Sequence, residues 1–276
     1  MNILTIDVEE WFQFFEDLDK GERYKNYEVR IYENVDRILG LLEENEIKAT
    51  FFVVGWIAKR YPDIVKKIAK DYEIGSHSMS HKLVSSLNRN EFYNEVNSSI
   101  SLIEDLSSKK VRAFRAPGFS IGKNKLWAFE VLSELGIEID SSFLPYNFGL
   151  NVSKTSPCLI EYNGIKIKEF PINYKKVLSK GVIYSGGGYF RFFPYKLLNF
   201  WIKDSDYFLA YIHPRDLDSK QPLIKELSFN QKFRSYYGLR FSNSKFKKLI
   251  KDNKFIDIDS ADMQIDWEKV DIIKLN

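Results

Sequence analysis

The first half of the chain alternates short apolar runs with amphipathic segments. The apolar runs have the length and composition of buried strands and are residues 2–8, 49–54, 72–76, 111–115 and 137–140. The segments between them repeat apolar residues every three or four positions, which predicts helices over 28–44, 56–71, from a cap at Asn90 onward, and over 125–135. Strands that alternate with helices predict a parallel sheet, and at 276 residues we expect an α/β fold, a distorted, seven-stranded (β/α) barrel.

The pattern changes from about residue 150. Residues 157–172 predict a hairpin insertion that turns at Asn163-Gly164, and a late strand follows at 208–212. Neither a repeat nor a linker divides the chain. We therefore predict one domain over residues 1–276, with an elaborated C-terminal half and a C-terminal extension over 214–276.

Composition excludes several classes of function. Apolar residues make up 44% of the chain, which excludes disorder, and the net charge of +3 with interleaved signs gives no basic surface for a nucleic acid polymer. Apolar runs all fall short of the ~18 residues of a membrane span, while a peripheral membrane contact through the many aromatic residues stays open. A single cysteine and a strand that starts without a signal-peptide pattern lead us to expect a cytoplasmic protein.

Polar residues collect at the ends of the predicted strands, where barrels of this kind carry their chemistry. The residues at these ends are Asp7, His77, Arg115, Asp140 and His213. The chain has three histidines, and two of them, His77 and His81, stand four residues apart. Two imidazoles with a carboxylate from elsewhere suit a divalent metal that keeps open coordination positions.

Five motifs follow one another in a specific order. They are Thr5-Ile6-Asp7-Val8-Glu9, His77-Ser78-Met79-Ser80-His81, Arg115-Ala116-Pro117-Gly118-Phe119, Asp140-Ser141-Ser142 and Ile212-His213-Pro214. Over nearly its whole length the chain resembles the polysaccharide deacetylases of the NodB-homology type (carbohydrate esterase family four), metal-dependent hydrolases that remove acetyl groups from sugars. Two further stretches, 186–191 and 213–218, resemble a subgroup linked to bacterial exopolysaccharide synthesis.

The resemblance implies a base and a metal ligand in the first motif, where the family commonly has adjacent aspartates. Here Val8 stands at the second position, but side chains alternate along a strand, so Asp7 and Glu9 can face the same way. We assign Asp7 as general base and Glu9 as ligand, and an exchange of these roles stays open. With His77 and His81, Glu9 would hold one divalent metal ion, zinc by ligand type, with Fe, Co, Ni or Mn as alternatives.

The resemblance also implies roles for residues of the other motifs. His213 would be the general acid that protonates the departing amine, and Arg115 would hold the base carboxylate in place. Asp140 would line the site and orient or tune His213, although a plain turn explains the same letters. Pro117 and Gly118 would shape the wall beside the metal, with the Gly118 N–H as a candidate oxyanion donor.

Aromatic residues beside these motifs are candidates for stacking on sugar rings. Trp11 follows the acid motif and Tyr189 follows a glycine run, and core packing is the alternative for each. The segment Gly186–Tyr195 predicts either a mobile lid or a tight turn with positive φ that leads into core aromatics. Glu10, next to the acid motif, is interpreted as a solvated loop acid.

The sequence therefore predicts a metal-dependent N-deacetylase. Its expected partner is an acetamido sugar in a glycan or in a lipid- or nucleotide-linked precursor. A deformylase or another amide hydrolase using the same site is one alternative. A catalytically silent carbohydrate-binding protein is another, and Val8 at the usual ligand position favours it.

Overall fold

A computed structural model describes residues 1–13, 27–150, 155–177 and 180–276 of the chain. Its strands are β1 (Asn2–Val8), β2 (Thr50–Val53), β3 (Glu73–Ser76), β4 (Ala113–Phe114), β5 (Ile139–Asp140), β6 (Cys158–Tyr162), β7 (Ile165–Glu169), β8 (Tyr174–Val177), β9 (Lys180–Ile183), β10 (Phe208–Ile212) and β11 (Ile272–Lys274). Nine of these strands form one sheet, and β8 and β9 pair separately.

The large sheet is mostly parallel, which confirms the predicted α/β fold. From β10 through β1, β2, β3, β4 and β5 to β7, each strand runs parallel to its neighbour. Beyond them β6 runs antiparallel to β7, and β11 lies at the outer edge beside β6. Within the described ranges the outer strands β10 and β11 do not pair with each other, so the barrel is open between them.

The helices pack on this sheet and include two that differ from the sequence prediction. They are α1 (Ile31–Glu44), α2 (Gly55–Arg60), α3 (Pro62–Ala69), α4 (Arg89–Ser107), α5 (Trp127–Glu134), α6 (Gly187–Phe192), α7 (Tyr195–Lys203), α8 (Phe229–Tyr236), α9 (Leu239–Asp252) and α10 (Ile258–Gln264). The single helix predicted over 56–71 is wrong, because Pro62 forces the preceding residue out of the helical conformation and starts a second helix. The cap at Asn90 is also wrong, since Asn88 caps α4 through a capping box with Glu91. No helix of the described part of the chain is long and apolar enough to cross a bilayer.

The core lies between the sheet and the first five helices. Every residue of β2 and of β10 is buried, as expected for strands covered on both faces. Side chains such as Val35, Ile64, Phe92 and Phe129 pack the apolar faces of α1, α3, α4 and α5 onto the strands. The packing leaves the C-terminal ends of the parallel strands as one common edge.

The predicted hairpin is confirmed and extends this sheet. β6 and β7 pair in register around Asn163 and Gly164, whose φ angles are 47° and 80°. Two successive positive φ angles are what a tight hairpin turn requires, which is why Asn-Gly stands there. The hairpin brings Glu169, at the end of β7, beside Asp140 at the end of β5.

Candidate metal centre and active site

A cavity of about 530 Å³ opens at the C-terminal edge of the sheet, a size typical of small-molecule sites. Its lining includes five of the predicted site residues, Asp7, Glu9, His77, His81 and His213. More than two hundred residues separate the first from the last, and the parallel pairing of β10 with β1 brings them together. The other two strand-end residues, Arg115 and Asp140, lie fully buried beneath the cavity floor.

Glu9, His77 and His81 offer ligand atoms that all lie within 4.8 Å of one another. The closest approach is 2.8 Å, between His81 Nε2 and Glu9 Oε2. His81 Nδ1 is buried and makes no hydrogen bond with the described residues. Two imidazoles and a carboxylate that converge in this way form a donor set of the kind that binds a divalent metal.

The loop that carries the two histidines is held by Glu95 of α4. Its carboxylate accepts hydrogen bonds from the Ser80 backbone N–H (2.7 Å), Ser80 Oγ (2.7 Å) and Ser78 Oγ (3.0 Å). Ser78 and His81 have φ angles of 65° and 59°, conformations that a non-glycine residue adopts only when its surroundings hold it. No local pattern in the sequence predicted the role of Glu95, because its contact joins the loop to a helix that starts later in the chain.

His77 presents one ring nitrogen to the cavity because the other is engaged. Its Nδ1 lies 2.8 Å from the carbonyl oxygen of Arg115, so the ring donates there and leaves Nε2 as a lone pair. Burial is the main reason why the pKa of His77 falls to about 4, and it outweighs the opposing effect of the Asp7 carboxylate. A neutral imidazole with a free lone pair is the form that binds a metal.

The ionised form of Glu9 is also favoured. Burial alone would raise the pKa of Glu9, but the His81 and His213 imidazoles lower it to about 2. The carboxylate therefore stays ionised, which is the form that a divalent cation requires. Its second oxygen, Oε1, lies 3.8 Å from His213 Nε2.

Arg115 fixes the position of Asp7. Its Nη1 donates to Asp7 Oδ1 and to Thr5 Oγ1, each at 2.7 Å, while Nε and Nη2 donate to the carbonyl oxygen and the hydroxyl of Ser141. The guanidinium also lies 4.3 Å from the centre of the Phe52 ring. A buried arginine with four hydrogen bonds to fixed partners holds Asp7 in one orientation, with Oδ2 3.9 Å from His213 Nε2.

His213 faces Asp7 across the cavity and is oriented by Asp216. The ring Nδ1 lies 2.8 Å from Asp216 Oδ2, and the same oxygen accepts the backbone N–H of His213 at 3.0 Å. Burial alone would lower the pKa of His213, but Asp216, followed by Glu9, raises it to about 9 from 6.5. At neutral pH the imidazole carries a proton on Nε2, on the side of the cavity.

Asp216 is itself held by a second buried cation. Burial would raise the pKa of Asp216, yet His213 and then Arg191 bring it well below its usual range. Arg191 Nε lies 3.1 Å from Asp216 Oδ1, and the other Arg191 nitrogens donate to the carbonyl oxygens of three residues at the end of α8, which are Arg234, Ser235 and Tyr237. Arg191 and Asp216 lie in the stretches 186–191 and 213–218, but no role was predicted for either residue. An acid three residues after His213, with proline between, was the available signal for the contact, because it is the pattern of a capping box.

The predicted orienting role of Asp140 does not agree with the contacts. Asp140 Oδ1 accepts from Ser142 Oγ at 2.6 Å, and burial raises the pKa of Asp140. Its neighbour is Glu169, where burial and then the Asp140 charge raise the pKa well above the usual range. Asp140 thus belongs to a buried carboxyl pair under the site, and the His213 ring meets Asp216 instead.

Three further residues differ from their predicted roles. Trp11 is 1% exposed and packs with Phe12 in a small apolar cluster, with its indole N–H bound to the carbonyl oxygen of Glu28, so it does not line the cavity. Pro117 is buried and also lies outside the lining. Glu10 is a buried acceptor for the backbone N–H groups at the start of α1 and is no solvated loop acid.

Gly118 and Tyr189 do line the cavity. Gly118 has a φ of 60°, and a Cβ there would lie 2.9 Å from Leu83, so the wall at this point requires glycine. Tyr189 is 44% exposed. Gly187, the first residue of α6, has a positive φ of 53°, and Phe190 within α6 is buried, two features that the turn alternative predicted for the segment Gly186–Tyr195. The lid alternative stays a prediction.

Two family models match the chain, one after the other. Residues 15–139 match the polysaccharide deacetylase family, and residues 141–262 match a domain of unknown function, DUF3473. The first match covers the two-histidine loop and Arg115, and the second covers His213 and Asp216. The large sheet draws its strands from both segments, since β10 pairs with β1 and β7 with β5.

Individual proteins also resemble parts or all of the chain. A peptidoglycan-N-acetylglucosamine deacetylase of Bacillus cereus is 34% identical over 96 residues, which is 34% of this chain and 35% of that protein. The chain thus spans about a third of the length of the curated relatives that it matches. A structure assigned as a polysaccharide deacetylase from Mycobacterium smegmatis superposes with a TM-score of 0.65 at 16% identity, covering 98% of this chain and 91% of that one. A CE4 family pseudoenzyme of Bacillus anthracis, BA3943, superposes with a TM-score of 0.52 at 15% identity, covering 99% and 66%. These two structural likenesses show the fold.

Proposed function

We propose that this chain, whose residues 15–139 match the polysaccharide deacetylase family, hydrolyses the N-acetyl group of an acetamido sugar in a bacterial glycan or glycan precursor. The observation that carries the proposal is one cavity that joins a possible metal-ligand triad, Glu9, His77 and His81, to an Asp7–His213 pair. A general base and a general acid beside a metal site are what amide hydrolysis requires.

Glu9, His77 and His81 would hold the metal, and zinc is our choice because two imidazoles and a carboxylate with open positions are typical of catalytic zinc. When bound, such an ion lowers the pKa of water to about 7 and polarises a carbonyl group. The donor set fits this ion, since Glu9 is ionised and His77 is neutral.

The remaining residues would move protons. Asp7, fixed by Arg115, accepts the proton of the attacking water through its free oxygen. His213, protonated because of Asp216, donates its Nε2 proton to the departing sugar nitrogen. Gly118 forms part of the cavity wall, and its position requires glycine because a side chain there would meet Leu83.

Neighbouring sugar units also find room. A second hollow of about 440 Å³ shares Gly118, Phe119 and Tyr146 with the first and is lined by polar groups such as Ser120 and Asn147. Two adjoining hollows on either side of a shared wall suit a substrate longer than one sugar, so we expect oligosaccharides to react faster than the monomer.

The test is acetate release from N-acetylglucosamine oligomers, the sugar named for the Bacillus cereus relative. Protein stripped with a chelator should be inactive and regain activity with zinc, whereas Asp7→Asn should stay inactive after loading. Asp63→Asn, an exposed carboxylate on α3, is the matched control and should retain full activity. A zinc-loaded protein that binds the oligomers without releasing acetate would instead be a carbohydrate-binding protein.

A further inference from the structure

Large aromatic side chains stand exposed beside the cavity mouth. Phe192, Phe229, Phe233 and Tyr237 are 48%, 81%, 43% and 48% exposed, and we name these four residues the aromatic rim. The Phe192 ring lies 6.2 Å from that of Phe233 and 5.7 Å from that of Tyr237, and Phe229 precedes Phe233 by one turn of α8. A contiguous exposed apolar patch of this kind marks an interaction surface.

The sequence around the rim is strongly basic. Residues 227–251, which contain α8 and all of α9 except its last residue Asp252, include seven Lys and Arg and no Asp or Glu, although the whole chain has a net charge of only +3. The rest of the chain is therefore net negative. Residues 187–203, which form α6 and α7, also lack acids, and both of these helices pack against α9. The two acid-free segments thus form one side of the molecule.

This side of the molecule borders the entrance to the candidate active site. Phe192, Phe233 and Tyr237 line the cavity with one edge while they remain exposed on the other. Arg234 lines it too, and Lys232 on the same helix is exposed. Phe229 lies outside the cavity lining, further along α8. A surface that contacts the rim would therefore lie directly over the cavity mouth.

We propose that the aromatic rim and its basic flank dock on an anionic lipid bilayer. Apolar aromatic side chains enter the headgroup boundary, and Lys and Arg beside them attract anionic headgroups. Stacking on a glycan does not explain the positive charge, because a neutral acetamido sugar offers no anionic group to Lys232 and its basic neighbours. Phenylalanine also lacks the polar group through which Tyr and Trp form hydrogen bonds with sugars. A second copy of the chain would place the same positive charge against itself.

Docking in this orientation limits the class of substrate that can reach the cavity, an inference that rests on the proposed function. With the mouth against the bilayer, the accessible acetamido sugar is one linked to a lipid, presented from the headgroup region. The sugar enters the cavity, and its anchor stays in the membrane beside the rim.

Vesicle co-sedimentation tests the docking without any need for activity. The metal-loaded protein should sediment with phosphatidylcholine vesicles that contain phosphatidylglycerol and not with pure phosphatidylcholine, and about 0.5 M NaCl should release much of it. Lys232→Glu should weaken binding roughly 30-fold, because it changes two elementary charges near the surface. Phe229→Ser should weaken it by about tenfold or more. Met263→Ser, also 80% exposed but on α10, and Lys59→Glu on α2 are the matched controls and should bind like the wild type.

Several results would overturn the proposal. One is a wild-type protein that does not bind anionic vesicles, and another is an equal loss of vesicle binding in the rim and control variants. A third is a concentration-dependent dimer that Phe229→Ser abolishes, in a protein that does not bind vesicles. An activity assay separates this failure from failure of the proposed function. Phe229→Ser should deacetylate a soluble oligosaccharide at the wild-type rate and a lipid-linked acetamido sugar in anionic vesicles at least about tenfold more slowly. Equal rates on the lipid-linked sugar would refute the substrate inference and leave the proposed function standing.

Discussion

Replacing Asp216 by Asn should move the alkaline limit of activity to lower pH. A general acid must be protonated, so activity is present below the pKa of His213 and is lost as pH rises through it. In the wild type, burial opposes this protonated form and the Asp216 carboxylate, 2.8 Å away, favours it. Asn keeps the size of the side chain and removes its charge.

The magnitude follows from the surroundings of the ring. The pKa of His213 stands at about 9 against 6.5 for a free imidazole, which corresponds to about 3 kcal/mol of preference for the charged form. Asp216 is the largest contributor that raises it, ahead of Glu9 and Asp7. We therefore expect the pKa to fall by about 1 to 2 units in the variant. A bound dication offsets the charge of Glu9 and lowers the limit in both proteins, but the direction of the difference between them stays the same.

Two measurements read this shift. The pH dependence of kcat/KM on an acetylated oligosaccharide gives the kinetic limit. NMR titration of the zinc-loaded protein gives the pKa directly, because the chain has three histidines and His77 and His81 would be bound to the metal. The two values should move together.

Asp218→Asn is the matched control. Asp218 is a buried aspartate of the same loop that accepts hydrogen bonds from Arg30 and Asn34 and does not contact His213. This variant should lose stability and keep the wild-type pH limit. An unchanged limit in Asp216→Asn, or an equal shift in both variants, would refute the assignment of Asp216 as the residue that keeps His213 protonated.

Further substitutions test the ligands, the base and the aromatic residues. Glu9→Gln should reduce zinc content measured by elemental analysis by about 10-fold or more, and retained stoichiometric zinc would contradict Glu9 as a ligand. Asp7→Asn should keep the zinc while kcat falls roughly 10²–10⁴-fold in single-turnover assays, and a parallel loss of zinc would mean that Asp7 and Glu9 exchange roles. Trp11→Ala should lower the free energy of unfolding by about 3–5 kcal/mol in urea titrations, because the indole is buried. Tyr189→Ala should leave the free energy of unfolding unchanged and raise KM for the oligosaccharide. If Trp11→Ala raised KM and Tyr189→Ala lowered the stability, Trp11 would be the substrate-binding residue and Tyr189 the core residue.

Much of the fold could be predicted from local pattern. The alternation of buried runs with amphipathic segments predicted the parallel sheet, and Asn163-Gly164 predicted the hairpin turn. The single helix predicted over 56–71 was wrong because Pro62 starts a second helix. The shortest strands, β4 and β5, extend over two residues each, and Arg115 and Ser141 follow them directly at the site.

The site was predicted in part. Five residues at or near strand ends share one cavity because parallel strands end at the same edge. The contact of Asp216 with His213 could have been predicted from the local sequence, because an acid three residues after a capping residue commonly accepts the backbone N–H of that residue. The contacts of Arg191 and Glu95 could not, because their partners lie far away in sequence or on another element.

The sequence by itself determined which segments are buried, their order in the chain, and the residue types that resemble a deacetylase site. Only the tertiary structure decided which buried acid meets His213, that Trp11 packs inward with Leu227, and that the basic helices α8 and α9 border the cavity mouth. The physical reason is that periodicity reports how a segment faces its own core. The partner of a side chain, by contrast, depends on how distant segments pack, because a residue at a strand end can contact residues from several different elements.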